Sequence, residues 1–136
     1  NTPSERDHTS RGNVTEIVIP HTNSLTPILP MLCHLYEPMR WVTWINTPSD
    51  IIRNWRSKKY SRCIDQAKHH ILLLHRSAKY SAFELAYQSL ASGRSQSVIL
   101  WANALTKDSL TDAQFKLLEE ASEQGSCLGI ILRVNT

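Results

Sequence analysis

Short apolar runs alternate with longer amphipathic stretches along the chain. Five runs have the length of strands and are rich in β-branched or aromatic residues. They are Glu16–Ile19, Trp41–Ile45, Ile71–Leu74, Val98–Trp101 and Leu128–Leu132. The third run is apolar at every position, which is typical of a strand covered on both faces in a parallel sheet. The pattern therefore predicts five strands, the third of them covered on both faces.

An amphipathic segment that can form a helix separates each strand from the next. Ser24 can cap a helix that runs to about Leu35, with a kink at Pro30. Ser49 or Asp50 can cap a second helix. The order β-α-β-α-β-α-β-α-β follows, and because helical crossovers join parallel strands, it predicts an α/β fold. We expect a mostly parallel sheet flanked by helices, with a strand order that the pattern leaves open.

Two of these helices carry a clear start signal. Ser81 with Glu84, and Thr111 with Gln114, have the spacing of capping boxes. The first of the two helices should end near Gly93. The second should stop at Gly125, as helices with a C-terminal glycine do. It carries the apolar residues Leu117, Leu118 and Ala121.

The size and composition of the chain suit one domain. It has 136 residues, of which 41% are hydrophobic and 20% charged, as in ordinary globular proteins. Residues 1–13 are polar, so we expect a flexible N-terminal segment followed by a single domain over 14–136. No apolar run approaches the roughly 20 residues that span a bilayer, and the start does not resemble a signal peptide. A membrane partner is not expected.

The cysteines favour a reducing compartment. Cys33, Cys63 and Cys127 are odd in number and far apart, unlike the paired cysteines of small secreted domains. We expect three thiols, mostly buried, and a cytoplasmic protein.

The motifs of nucleotide and metal chemistry are missing. The first strand-to-helix loop, residues 20–25, has neither the glycines nor the lysine of a P-loop. The six histidines are scattered, and Cys33 with His34 has no partner at a zinc-ligand spacing. We therefore predict no cofactor, no metal and no catalytic residues.

One stretch combines basic and aromatic residues. Between Ile51 and Ile64 there is no acid near the bases, which are Arg53, Arg56, Lys58, Lys59 and Arg62. Trp55 lies among them, and Trp and Arg dominate binding hot spots in protein interfaces. Single-stranded nucleic acid also binds basic grooves with aromatic side chains. The stretch indicates either a binding surface that includes Trp55, Arg53 and Arg56, or a solvated helix whose tryptophan packs in the core, and the residues alone leave both interpretations open.

Trp41 and Trp44 lie outside this basic stretch, in the second predicted strand. Trp41 and Trp44 have opposite parity in the second strand, so their side chains face opposite sides of the sheet. We expect both to pack within the protein.

The ordered set of motifs resembles the SulA-type bacterial cell-division inhibitors. Arg40-Trp41-Val42-Thr43-Trp44-Ile45, followed by Thr47-Pro48, is similar to the R-W-x-x-W-L-T-P block of that family. The closing strand-helix-strand also matches, from Ser97 through Leu110-Thr111 to the run Leu128–Arg133. The resemblance covers about Thr15 to Val134, nearly the whole chain.

The resemblance implies a RecA-like core without an ATP site, which agrees with the missing P-loop. Members of the family are made in the SOS response to DNA damage and bind the division GTPase FtsZ. They stop FtsZ polymerisation and septation without catalysing a reaction. They are degraded by Lon protease through a C-terminal tail, which this sequence, ending at Thr136, does not show. A homodimer is an additional prediction.

The resemblance also assigns partner-binding residues. The Arg and the terminal aliphatic of the R-W block match Arg40 and Ile45, and the Trp of the next helix matches Trp55. A Lys before the third strand matches Lys68. With Arg53 and Arg56 these form the predicted FtsZ-binding set, in which Trp55 and Ile45 would be the apolar anchor.

Two other functions remain open at this point. A RecA-related accessory protein could bind single-stranded DNA through residues 53–62, although the sequence pI of about 8.9 is moderate and no nucleic-acid motif accompanies the segment. An enzyme with an unrecognised site is the third possibility.

Overall fold

The computed structural model describes residues 13–19, 29–30, 39–103 and 110–134. These residues form five parallel strands in the order β1-β5-β4-β2-β3. The strands are β1 (Asn13–Ile19), β2 (Trp41–Ile45), β3 (Ile71–Leu74), β4 (Ser95–Asn103) and β5 (Leu128–Val134). The helices are α1 (Ser49–Ser57), α2 (Arg62–Ala67), α3 (Ala82–Ala91) and α4 (Asp112–Gly125), with a 3₁₀ helix at Lys68–His70. The predicted fold class, a parallel sheet flanked by helices, is confirmed.

Helices cover both faces of the sheet. On the first face, α1 and α2 bury the strand residues Val42, Trp44 and Ile99 against Ile51 and Trp55. On the second face, α3 and α4 pack on alternate residues of the same strands. Because successive strand residues point to opposite faces, each apolar strand supplies both cores.

The helix starts are confirmed for α3 and α4 and wrong for α1. The Ser81 and Thr111 hydroxyls accept hydrogen bonds from the Glu84 and Gln114 N–H groups, each at 3.1 Å. Pro48, with no side-chain cap, precedes α1. The predicted cap at Ser49 or Asp50 is therefore wrong, and both residues lie inside the first turn of α1.

Helix α4 ends at Gly125 as predicted, but the glycine is not there to adopt the left-handed conformation that ends many helices. Gly125 is the last helical residue, and the left-handed conformation belongs to Ser126, with φ of 49°. A Cβ on Gly125 would lie 1.8 Å from the Leu90 carbonyl oxygen of α3. Glycine is needed here because the two helix backbones approach closely. Of the three apolar residues noted on this helix, Leu118 and Ala121 are buried and Leu117 is 41% exposed.

Strand β3 lies at the edge of the described sheet. Of the described strands, β2 alone pairs with it, and Leu72 is 36% exposed. The prediction that this strand is covered on both faces is therefore wrong. The chain places β4 on the other side of β2, which leaves β3 with one neighbour.

The cysteine prediction is partly wrong. Cys63 is exposed and disulfide-bonded, so the prediction of three thiols, mostly buried, is wrong at this residue, and the argument for a reducing compartment from three thiols fails. Cys127 is a buried thiol, as expected. Cys33, the N-terminal segment before Asn13 and most of the helix predicted from Ser24 lie outside the described residues. Leu29 and Pro30, from that helix, are helical.

Helix α2 was not predicted, and it divides the crossover between β2 and β3 into two helical pieces. Within the described ranges, no helix is long and apolar enough to cross a membrane.

Candidate functional site

The outer surface of α1 and α2 carries a group of exposed cations. Ile51 and Trp55, four residues apart, face the core, so the residues between them project outward. The exposed side chains are Arg53, Arg56, Lys58, Lys59 and Arg62, and they are called the basic face below. The acids of α1 and α2 are Asp50 and Asp65, and both are half-buried. The basic face therefore has a positive potential.

Lys68 holds the loop of the basic face in place. Its ammonium donates a hydrogen bond to the Lys58 carbonyl oxygen at 2.6 Å and lies 3.4 Å from the Asp65 carboxylate. It also lies 5.2 Å from the ring centroid of Trp55 and 5.0 Å from that of Tyr60. Cations at these distances are attracted to aromatic faces. Lys68 thus ties the end of α1 to the 3₁₀ helix.

Tyr60 completes this cluster. Its backbone N–H donates to an Asp65 carboxylate oxygen at 3.1 Å. Burial, with a smaller contribution from the Asp65 charge, raises the pKa of the Tyr60 hydroxyl. Its ring contacts Trp55 at a centroid distance of 5.0 Å. The aromatic residues of the basic stretch therefore pack on one another beneath the cations.

The two predicted apolar anchors are inside the protein. Trp55 is 4% exposed and its ring lies 5.1 Å from that of Trp44, while Ile45 has no exposed surface. Ile45 belongs to the core of the second face, away from Trp55 on the first. In this structure the direct surface contact predicted for both side chains would require a rearrangement.

Arg40 lies at the C-terminal end of α4. Its guanidinium donates to the carbonyl oxygens of Ser95, Gly125 and Ser126 at 3.1–3.3 Å. A cation here interacts favourably with the negative end of the helix dipole. The structure thus brings Arg53, Arg56, Trp55 and Lys68 together, and places Arg40 and Ile45 elsewhere.

Trp41 is an exposed aromatic residue beside the 3₁₀ helix. Trp41 is 43% exposed and its ring lies 6.4 Å from that of His70, whereas Trp44 is fully buried. The prediction that Trp41 packs within the protein is wrong. The sequence did contain a sign of this exposure. Trp41 and Trp44 lie an odd number of residues apart in β2, so they face opposite sides of the sheet, and Trp41 cannot share the core that buries Trp44.

Metal-binding clusters and reactive thiols were searched for among the described residues as signs of chemistry. Among them, no three His, Cys, Asp or Glu side chains are grouped so that they could hold a metal ion. Burial raises the pKa of the Cys127 thiol to about 12, and the nearby Arg40 charge opposes this only in part. Since the thiolate is the nucleophilic form, Cys127 is chemically inert at neutral pH.

The chain is similar in sequence and in structure to proteins of one kind. No family model matches the sequence. The chain is 27% identical over 127 residues to the cell division inhibitor SulA of Enterobacter sp. (strain 638), covering 91% of this chain and 70% of the relative. It is 24% identical over 130 residues to that of Klebsiella aerogenes, covering 93% and 72%. The crystal structure of SulA from Pseudomonas aeruginosa superposes with a TM-score of 0.66 at 25% identity, covering 90% of this chain and 98% of that chain. Over most of its length, the chain therefore resembles the SulA cell division inhibitors in both sequence and fold.

Proposed function

We propose that this protein is a non-catalytic inhibitor of cell division that acts in the cytoplasm during the SOS response. It binds FtsZ monomers and blocks their polymerisation, and so blocks septation. The observation that supports this most is the similarity to SulA over 90% of the chain in sequence and fold together. Degradation by Lon and a homodimer belong to the same proposal.

The inhibition is stoichiometric. One molecule covers a polymerisation surface of one FtsZ subunit and removes it from the pool that extends the filament. GTP hydrolysis then falls indirectly, because the GTPase site is completed between two subunits. This mechanism needs a stable binding surface and no catalytic group.

The basic face is where we place the contact. Its five exposed cations attract an acidic partner surface over a distance of about 10 Å at moderate salt and so speed association. Arg53 and Arg56 contact the partner directly. Trp55 and Lys68 support them from beneath, since both are packed within the Tyr60 cluster.

Arg40 and Ile45 act at a greater distance in this proposal. Ile45 anchors β2 in the second core, and Arg40 ties β2 to the end of α4. Both keep β2, and the helix α1 that follows it, in position.

The test is sedimentation of purified FtsZ with GTP, with and without an equal concentration of this protein. We expect loss of pelleted polymer that saturates near one inhibitor per FtsZ. Arg56→Glu should weaken the inhibition about tenfold, which corresponds to about 1.4 kcal/mol. Lys116→Glu is the matched control, because it makes the same charge change at an exposed position of α4. Unchanged polymer with the wild-type protein would refute the proposal.

The basic face also motivates a second candidate, binding of single-stranded DNA. The structure weakens it, because stacking of bases needs exposed aromatic rings and Trp55 is buried. Fluorescence anisotropy with a labelled oligothymidylate at low salt decides the matter. Salt-sensitive binding that Arg56→Glu reduces would favour it, and no binding would eliminate it.

A further inference from the structure

Cys63 forms a disulfide on an exposed part of the molecule. It is the second residue of α2, and Arg62 of the basic face precedes it. Cys127, in contrast, is a buried thiol. Exposed disulfides are accessible to attacking thiolates and belong to the labile, regulatory kind more often than buried ones do. The bond at Cys63 is therefore open to chemistry from solvent, whereas the Cys127 thiol is not.

The surroundings of the Cys63 sulfur favour its release as a thiolate. The Ser61 Oγ lies 3.5 Å from the Cys63 Sγ, and its hydroxyl is the donor because a disulfide sulfur carries no hydrogen. The neighbouring Arg62 is an exposed cation, and Asp65, the acid of α2, is half-buried. Positive charge and hydrogen bonds stabilise a thiolate, and a more acidic leaving thiol speeds disulfide exchange.

The disulfide also fixes a helix that is short by itself. Helix α2 has six residues, and an isolated helix of that length is not stable in water. Its N-cap residue, Ser61, makes no side-chain capping hydrogen bond. The bond at Cys63 is a covalent tie in the first turn. Without it, α2 depends on the burial of Ile64 and Ala67 and on the contacts of the Asp65 carboxylate.

One part of the basic face depends on α2, and another part does not. Arg62 belongs to α2, and Lys58 and Lys59 lie between α1 and α2. Arg53 and Arg56 belong to α1, which is anchored in the first core. A less fixed α2 therefore leaves the positions of Lys58, Lys59 and Arg62 less defined. Side chains that must be ordered on binding reduce affinity.

We propose that the Cys63 disulfide is a thiol–disulfide exchange site that a dithiol reductant opens, and that its opening weakens the basic face as a binding surface. Disulfides of cytosolic proteins are usually transient and either catalytic or redox-sensing. The proposed function places this protein in the cytoplasm, and the second half of the inference rests on that function.

The exchange proceeds in two balanced steps. One thiolate of the reductant attacks the sulfur bonded to Cys63, the protein S–S bond breaks, and Cys63 leaves as a thiolate. The second thiolate of the reductant then attacks the mixed disulfide and releases the partner cysteine. The reductant is oxidised to its own disulfide, and the two protein thiolates take up the two protons that the reductant lost.

The chemical test uses the full chain, dithiothreitol as the dithiol and iodoacetamide labelling read by mass spectrometry. We expect Cys63 to be unlabelled before reduction and labelled after reduction under native conditions. Cys127 should stay unlabelled in both samples, which shows that the fold is intact. Peptide mapping without reductant identifies the partner cysteine.

The structural test is amide hydrogen exchange of the oxidised and the reduced protein. Exchange over residues 58–67 should be faster in the reduced protein, because α2 has lost its covalent tie. Exchange over α4, Asp112–Gly125, should be unchanged and serves as the internal control.

The functional test is sedimentation of FtsZ with GTP. The reduced protein should inhibit at least about threefold more weakly, since each exposed ion pair contributes only modestly. Cys63→Ser cannot form the bond and should inhibit like the reduced protein, with no response to dithiothreitol. Cys127→Ala keeps the disulfide, is the matched control and should respond to dithiothreitol like the wild type.

Three results would overturn the exchange site. They are labelling of Cys63 before reduction, no labelling of Cys63 after native reduction, and equal exchange over residues 58–67 in the two states. Equal inhibition by the oxidised and the reduced protein would overturn the link to the basic face. If neither form inhibits FtsZ, the proposed function fails, and the labelling and exchange results still decide the redox inference.

Discussion

Replacement of Trp55 by alanine separates a structural role from a binding role. Trp55 is 4% exposed and contacts Trp44, Tyr60 and the Lys68 ammonium. Loss of a buried tryptophan side chain costs about 3–5 kcal/mol of stability through lost transfer energy and the cavity left behind. The lost attraction of Lys68 to the ring adds about 0.5–1 kcal/mol. We therefore expect Trp55→Ala to lower the free energy of unfolding by about 4 kcal/mol.

The measurement is urea unfolding followed by far-ultraviolet circular dichroism, with the slope against urea concentration compared between variants. Arg56→Ala, at the exposed neighbouring position, is the matched control and should change stability by less than about 0.5 kcal/mol. A domain of this size has only about 5–15 kcal/mol of stability. At the low end of this range Trp55→Ala would keep only about 1 kcal/mol of stability, a measurable fraction would be unfolded, and a loss of FtsZ inhibition would follow from folding alone.

A different result would refute this reasoning. If Trp55→Ala lowers the free energy of unfolding by less than about 1 kcal/mol and still fails to inhibit FtsZ, then Trp55 binds the partner directly. Trp55→Phe helps to separate the two cases, because it keeps most of the buried ring. It should retain inhibition if the role is structural.

Three further predictions concern stability and reactivity. Gly125→Ala places a Cβ 1.8 Å from the Leu90 carbonyl oxygen, so α3 and α4 must move apart, which should cost about 3 kcal/mol of stability. The loss is measured as a lower melting temperature. An unchanged melting temperature would contradict the close helix contact. Ser81→Ala removes the cap of α3 and should lower the free energy of unfolding by about 1 kcal/mol in urea; no change would mean that the cap is dispensable. Burial raises the pKa of the Cys127 thiol to about 12. The folded state therefore favours the neutral thiol, and this contribution to stability is present at neutral pH. It is lost as the pH rises from the pKa of the thiol in the unfolded chain toward 12. Iodoacetamide should leave Cys127 unmodified in the native protein by mass spectrometry and modify it in guanidinium chloride, and rapid native modification would show that the thiol is accessible.

The strands and the caps of α3 and α4 were predictable because their causes are local. Strand β2, Trp41–Ile45, and strand β3, Ile71–Leu74, have the predicted bounds, and the capping boxes of α3 and α4 form as their spacing required. Apolar residues alternate along one strand. A hydroxyl three residues before a Glu or Gln caps one helical turn. A sequence reveals such causes directly.

The candidate site was less predictable, because burial depends on which elements meet. The sequence placed Trp55 and the arginines in one stretch, and the structure confirms that they share α1. It did not show that Trp55 faces the core while Arg53 and Arg56 of the same helix face outward. Nor did it show that Lys68 spans from the 3₁₀ helix to the end of α1.

The pattern of apolar runs by itself determined the five described strands, the helices α1, α3 and α4, and hence a parallel α/β fold. Tertiary structure decided the strand order, because several orders satisfy the same alternation. That order leaves β3 at the edge despite a fully apolar sequence, and it brings α3 so close to α4 that Gly125 cannot carry a side chain. Both features arise from contacts between segments that are distant along the chain, and no local pattern records such contacts.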